Sequence, residues 1–167
     1  KWREASGSEA ATLAVAATEP GAARGIEGLL EASTDPEFPA AFLVSRFRQF
    51  VRESLEIIPE AAAALARGDL AEFGRQVDAS QMGAEEGLGN QVPETIHLAR
   101  RARSLGAHAA SSFGAGFGGS VWAMVERDAV EGFGRAWMDD YRREFPAAAR
   151  RAQCFRSALG PAARRLD

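Results

Sequence analysis

Cysteine is almost missing from this 167-residue chain, in which Cys154 stands alone. A single thiol rules out an intrachain disulfide framework and a cysteine zinc cluster, and it fits a reducing cytoplasm. Histidine is nearly as scarce, with only His97 and His108, which argues against a histidine-rich metal site. Lysine occurs once, at Lys1. No apolar run approaches the roughly 20 residues that a membrane-spanning helix needs. No signal peptide is recognisable, so the expected setting is the cytoplasm, without membrane contact. The first residue is Lys rather than Met, so the natural start is expected upstream. The net charge of −3 gives no broad electrostatic pull toward nucleic acid.

What is present has the size and composition of one globular domain. Apolar residues make up 46% and charged residues 26%, which is ordinary for a folded chain. A chain of this length buries about 70% of its unfolded surface, enough for a sizeable core. The densest local signal is Ser111-Ser112-Phe113-Gly114-Ala115-Gly116-Phe117-Gly118-Gly119-Ser120, with four glycines in the six positions Gly114 to Gly119. Apolar segments flank it, Ala107–Ala110 before and Val121–Val125 after, so the glycines join two expected strands. Glycine tolerates positive φ and lacks Cβ, which lets a loop bend sharply and bring its amides close to a ligand. Successive inward-turned amides form an anion-binding concavity.

The familiar phosphate-loop patterns fail here on context. Gly114-x-Gly116-x-x-Gly119 spells the dinucleotide fingerprint, but a strand follows where that fingerprint opens a helix. A protein-kinase glycine loop does lie between strands, but it needs a lysine on the next strand. No Gly-Lys-Ser/Thr occurs for a Walker-type loop. From the residues alone, two readings stay open: a loop that approaches phosphates, and a tight hairpin where backbones pack closely.

Along the chain, Lys1 to Ala32 is the least readable part. Ala10–Ala17 is apolar and reads as a strand or a short helix; Gly25–Ala32 reads as a short helix. Residues 1–38 form an N-terminal segment with a weak boundary at Ser33-Thr34-Asp35-Pro36, and residues 39–167 form the main domain. From Pro39 to Arg67 the spacing of Leu43, Phe47, Phe50, Val51, Leu55 and Ile58 predicts a helix, kinked or divided by Pro59. Gly68 ends it and Asp69 caps a second helix running to Met82, with Leu70, Phe73, Val77 and Gln81 on one face. Gly83–Asn90 reads as a polar loop. Pro93 starts a third helix that stops at Gly106. A fourth carries Val130, Phe133, Trp137 and Tyr141 and stops near Pro146. Alternation over Gln153–Leu159 predicts a strand, and the tail from Gly160 a turn and a further short strand. The sum is an α+β domain with an antiparallel sheet of about four strands and helices on one face.

The order of these parts resembles the C-terminal half of a galactokinase, in the GHMP small-molecule kinase superfamily. The resemblance rests on Ala66-Arg67-Gly68-Asp69-Leu70, Phe73-Gly74, Val92-Pro93-Glu94, Gly106-Ala107 and Phe113 to Gly119, and spans roughly Phe42 to Arg165. It implies a ferredoxin-like C-terminal domain. It also implies that Gly114, Ala115, Gly116, Phe117, Gly118 and Gly119 lie against the phosphates of ATP, as in the family's third motif. The implied reaction uses ATP and Mg²⁺ to phosphorylate the anomeric hydroxyl of a sugar, with galactose giving galactose 1-phosphate and ADP. The implied partners are ATP, a small sugar and an N-terminal domain of the same kinase. Neither a Gly-Glu-His-x-Asp-like sugar motif nor a Gly-Leu-x-Ser-Ser phosphate loop occurs here. The resemblance therefore assigns no catalytic residue and no metal ligand to this chain, and it implies that the chain alone is inactive. Three positions depart from the family pattern: Ser111 for a basic residue, Gln81 for histidine and Ile96 for aspartate. They bear on which sugar is used. The alternatives are a stand-alone ferredoxin-like module that binds a ligand or a protein, and a GHMP kinase for another sugar or an alcohol such as mevalonate.

Other polar and aromatic residues read as structural. Arg100, Arg101 and Arg103 form a solvated helix face. Glu85 and Glu86 belong to a charged loop. His97 lies on a helix surface or interface, and His108 lies beside the glycine loop. Trp122 and Trp137 fall in core patterns, and Cys154 reads as a small buried apolar residue.

Overall fold

The computed structural model describes residue 4, residues 6–158 and residue 160. Two short helices come first, α1 (Leu13–Thr18) and α2 (Ala22–Glu31). The ambiguous Ala10–Ala17 segment is thus helical, and Thr12 caps α1 by accepting from the Val15 N–H at 3.2 Å. Both pack on α3 (Ala40–Arg52) through Ala16, Ile26 and Phe47.

The helix expected between Pro39 and Arg67 forms, and Pro59 shapes it from the N-terminal side. A π-helical turn, Glu53–Ile57, separates α3 from α4 (Ile58–Arg67), with the proline in the first turn of α4. Proline has no N–H and its ring crowds the carbonyl four residues back. The wider π turn accommodates that conflict without ending the helix. Gly68, at φ +70°, then stops α4. Asp69 caps α5 (Leu70–Gly83) by accepting from the Glu72 N–H at 2.9 Å.

The polar loop expected over Gly83–Asn90 is instead mostly helical. A second π turn, Ala84–Leu88, continues α5, and Gly89 ends it at φ +60°. Charged residues do not prevent a helix when their partners lie on it or beside it. Glu85 accepts from Gln81 Nε2 at 3.1 Å and pairs with Arg100. Next come α6 (Pro93–Ser104), β1 (Ala109–Phe113), β2 (Ser120–Met124), α7 (Val130–Glu144) and the short α8 (Pro146–Ala149).

The class is α+β, as expected, but the sheet among the described residues has two strands rather than about four. β1 and β2 pair antiparallel, Ala109 opposite Met124 and Phe113 opposite Ser120. Gln153–Ala158 adopts no regular structure. Alternation makes a strand only where one side can be buried, and here Phe155 is 83% exposed. Cys154 is exposed rather than buried, although desolvation raises its pKa. Leu159 and the expected strand after Gly160 lie outside the described residues.

Helices cover both faces of the hairpin, not one. Ala109, Trp122 and Met124 pack with Ala64, Phe73 and Val77 from α4 and α5. Ala110, Val121 and Ala123 pack with Ala102 and Trp137 from α6 and α7. A β-hairpin with two apolar faces is stable only with both covered. Trp137 satisfies its indole by donating to the Leu98 carbonyl at 3.0 Å.

Charged side chains tie the helices together. Arg103 is not on a solvated face: it binds Asp78 of α5 at 2.8 and 2.9 Å and donates to the carbonyls of Ala107 and His108. Between α6 and α7, Asp140 meets His97 at 2.9 Å, Arg143 at 2.9 Å and Arg101 at 3.0 Å. The Arg101 Nε is buried and makes no aligned hydrogen bond despite that approach. Desolvation raises the Asp140 pKa, and the hydrogen bonds from His97 and Arg143 together with the Arg101 charge more than offset it, so the net shift is downward. A carboxylate depressed on folding stabilises above its unfolded pKa of about 3.9. That contribution is lost as pH falls through the folded value. Asp140→Asn is expected to lower the urea midpoint at pH 7, with the gap to wild type narrowing as pH falls below about 4.

Candidate functional site: the glycine loop

Residues 114–119 connect β1 to β2, so the hairpin fixes both ends of the loop. Its backbone is left-handed at Gly114, Gly116, Gly118 and Gly119, with φ of +88°, +86°, +110° and +100°. An L side chain in that region costs roughly 1–2 kcal/mol per residue, so this path needs glycine. Phe117 also adopts positive φ, at +61°, and the residue is 75% exposed.

Two polar residues hold the loop, Gln81 within α5 and Asn90 just beyond the end of its π-helical extension. Gln81 is 5% exposed, and its side-chain carbonyl accepts from the Ser111 hydroxyl at 2.9 Å and the Ser112 N–H at 2.9 Å, at the loop's stem. Asn90 holds the tip: its backbone carbonyl accepts from the Phe117 N–H, and its side-chain amide donates to the Ala115 carbonyl at 3.1 Å. Gly116 lies so close that a Cβ there would overlap the Asn90 carbonyl and side chain. Val92 lies near Gly118.

These contacts give two of the family departures a structural meaning. Ser111 and Gln81 are hydrogen-bonded to each other at the loop's stem. Ile96 lies on α6 and lines a groove with Pro93, His97 and Arg100, and none of the loop glycines borders that groove. Chemically, the loop offers backbone amides and a shape that admits close approach of a ligand. Its six residues carry no charged side chain.

The structure redistributes the other candidates. His108 precedes β1 and sits at the opposite end of the strand from the loop, about 20 Å away at 3.3 Å per residue. It pairs with Glu126 at 2.9 Å and is not beside the loop. His97 is an inter-helix contact, with its ring edge-on to Phe145 at 5.3 Å. Trp122 and Trp137 pack in the core. Among the described residues, no group of three or more His, Cys, Asp or Glu converges to hold a metal ion. A groove of about 700 Å³ between α3 and α5, lined by Arg48, Gln49, Glu53 and Gly83, does not border the loop glycines.

Sequence reasoning marked Gln81 as a face residue and a departure from the family pattern but not as a partner of the loop, and it passed over Asn90. Gln81 carried a signal, because a polar residue on the apolar face of α5 needs a buried partner. Asn90 carried none, since nothing local ties it to residues 25 or more positions away.

Residues 61–143 match the family described as GHMP kinases C terminal, and that segment belongs to it. The particular resemblance is to galactokinases. The chain is 35% identical over 116 residues to a galactokinase of Roseiflexus sp. (strain RS-1), covering 65% of this chain and 29% of that protein. It is 31% identical over 99 residues to one of Pyrococcus furiosus, covering 59% and 28% respectively. The structure of Lactococcus lactis galactokinase complexed with galactose superposes with a TM-score of 0.60 at 28% identity, covering 72% of this chain and 31% of that one. The matched part thus spans less than a third of these relatives.

Proposed function

We propose that this chain is the C-terminal part of an ATP-dependent galactokinase, forming galactose 1-phosphate and ADP from galactose and ATP in the cytoplasm. The observation that carries the reading is the left-handed glycine loop on a hairpin within a galactokinase-like domain. In this role Gly114 to Gly119 lie against the nucleotide phosphates. Residues 1–38 are the join to an N-terminal domain that completes the cleft. Phosphoryl transfer depends on positioning and on stabilising charge at the transferred group. The loop contributes backbone donors and close approach. The group that orients the sugar hydroxyl and the protein ligands of Mg²⁺ come from the N-terminal domain.

This division of labour makes a binding prediction. By calorimetry, the longest natural product of the gene is expected to bind ATP with a Kd well below 1 mM. The 167-residue chain is expected to bind no tighter than about 1 mM, on the order of 4 kcal/mol. A submillimolar Kd for the short chain would show that the loop is not merely part of a larger site. The departures from the family pattern at Ser111, Gln81 and Ile96 carry a second reading of the acceptor, another sugar in place of galactose, with the same fold and phosphoryl chemistry.

A further inference from the structure

We infer that Asn90 is a positioning residue for the glycine loop, setting the conformation in which the loop receives the nucleotide; this rests on the kinase reading above. Asn90 contacts the loop twice, through its backbone carbonyl to the Phe117 N–H and through its side-chain amide to the Ala115 carbonyl. Those two contacts bracket Gly116, the residue without room for a Cβ. They also account for Phe117. A non-glycine residue persists at positive φ only where its surroundings over-determine it, and its N–H is held by Asn90.

Asn90 is itself held. Gln91 Nε2 donates to Asn90 Oδ1 at 3.0 Å, which fixes which side of the amide faces Ala115. Gln91 Oε1 in turn accepts from the Thr95 hydroxyl at 2.9 Å. Thr95 is 3% exposed and accepts from the Val92 N–H at the start of α6. The order of support thus runs from the helix terminus through Thr95 and Gln91 to Asn90 and the loop. A loop freed from Asn90 still connects β1 and β2, but its tip has lost its anchor to the helical layer. The cost falls on ATP engagement rather than on folding, because Asn90 lies outside the apolar clusters that hold the domain together.

The test uses the longest natural product of the gene, with steady-state ADP release and amide hydrogen exchange. One neutral side-chain hydrogen bond corresponds to roughly a tenfold change. Asn90→Ala is expected to raise KM for ATP and exchange over Gly114–Gly119 by about tenfold each. KM for the sugar should stay within twofold and the melting temperature within a few degrees. Gln91→Ala, which leaves Asn90 in place without its orienting amide, should move the same two quantities by about threefold. Unchanged exchange and unchanged KM for ATP in an active enzyme overturn the inference alone. Parallel changes in both KM values and in melting temperature overturn it as well, by reducing Asn90 to a general structural role. A wild type that releases no ADP with any acceptor overturns the kinase reading, and the claim on ATP with it.

Discussion

Gly74→Ala is expected to destabilise the domain by about 3 kcal/mol or more, a large share of the 5–15 kcal/mol that typically holds a domain together. Gly74 lies in α5 where the helix meets the residue entering β1. A Cβ there would overlap the backbone carbonyl oxygen of His108 and come within 3.0 and 3.1 Å of the Arg103 guanidinium nitrogens. Neither neighbour can yield cheaply. The carbonyl is backbone leading into a strand, and the same guanidinium is bound to Asp78 and to the carbonyls of Ala107 and His108. Moving the strand away would also open the contact of Ala109 with Phe73 and Val77. Gly132, inside α7, is the matched control, because a Cβ there meets nothing within 4 Å. Gly132→Ala is expected to stabilise by roughly 0.5–1 kcal/mol through helix propensity. Urea unfolding of both variants separates a steric effect at Gly74 from a general response to glycine replacement.

On the proposed kinase reading, Gly116→Ala is expected to lower ADP release by the longest natural product of the gene about a hundredfold while leaving the fold intact. The substitution puts a Cβ against Asn90 and an L side chain at φ +86°. The loop tip must then move by a distance on the order of 1 Å, and displacement of that size commonly costs about 10²-fold in a positioned reaction. The fold should survive because the loop is exposed and both its strands remain paired and covered. Far-UV circular dichroism and the melting temperature check that half of the expectation, and kcat/KM for ATP checks the other. Gly114→Ala should have a smaller effect, since it meets the backbone penalty alone, with nothing within 4 Å of its Cβ.

The helices were legible because their signals are local. The 3.6-residue spacing of Leu43, Phe47 and Phe50, the stop at Gly68 and the cap at Asp69 are all set by neighbours in sequence. So was the hairpin around the loop. Strand count was not legible in the same way. Alternation over Gln153–Leu159 has the right period, but a strand also needs a pairing edge and a face to bury. Gln153–Ala158 finds neither, with Phe155 turned to solvent. Charge misled at Glu85, which reads as loop but is held by Gln81 and Arg100.

Within the site, the glycines were legible individually and their path was not. Their number implied a bend, whereas the left-handed run through Phe117 depends on Asn90, a contact between distant parts of the chain. The departures at Ser111 and Gln81 could be read from sequence only as two separate changes. Their hydrogen bond makes them one feature, at the stem of the loop.

The most direct measurement is ADP release by the longest natural product of the gene, with galactose set against a panel of other sugars and the 167-residue chain run in parallel. The account predicts ADP release that depends on galactose in the long form and is absent from the short one. Turnover on a different sugar would keep the mechanism and move the substrate. Sugar-independent ADP release, or none with any acceptor, would contradict the claim that this glycine loop serves a sugar kinase.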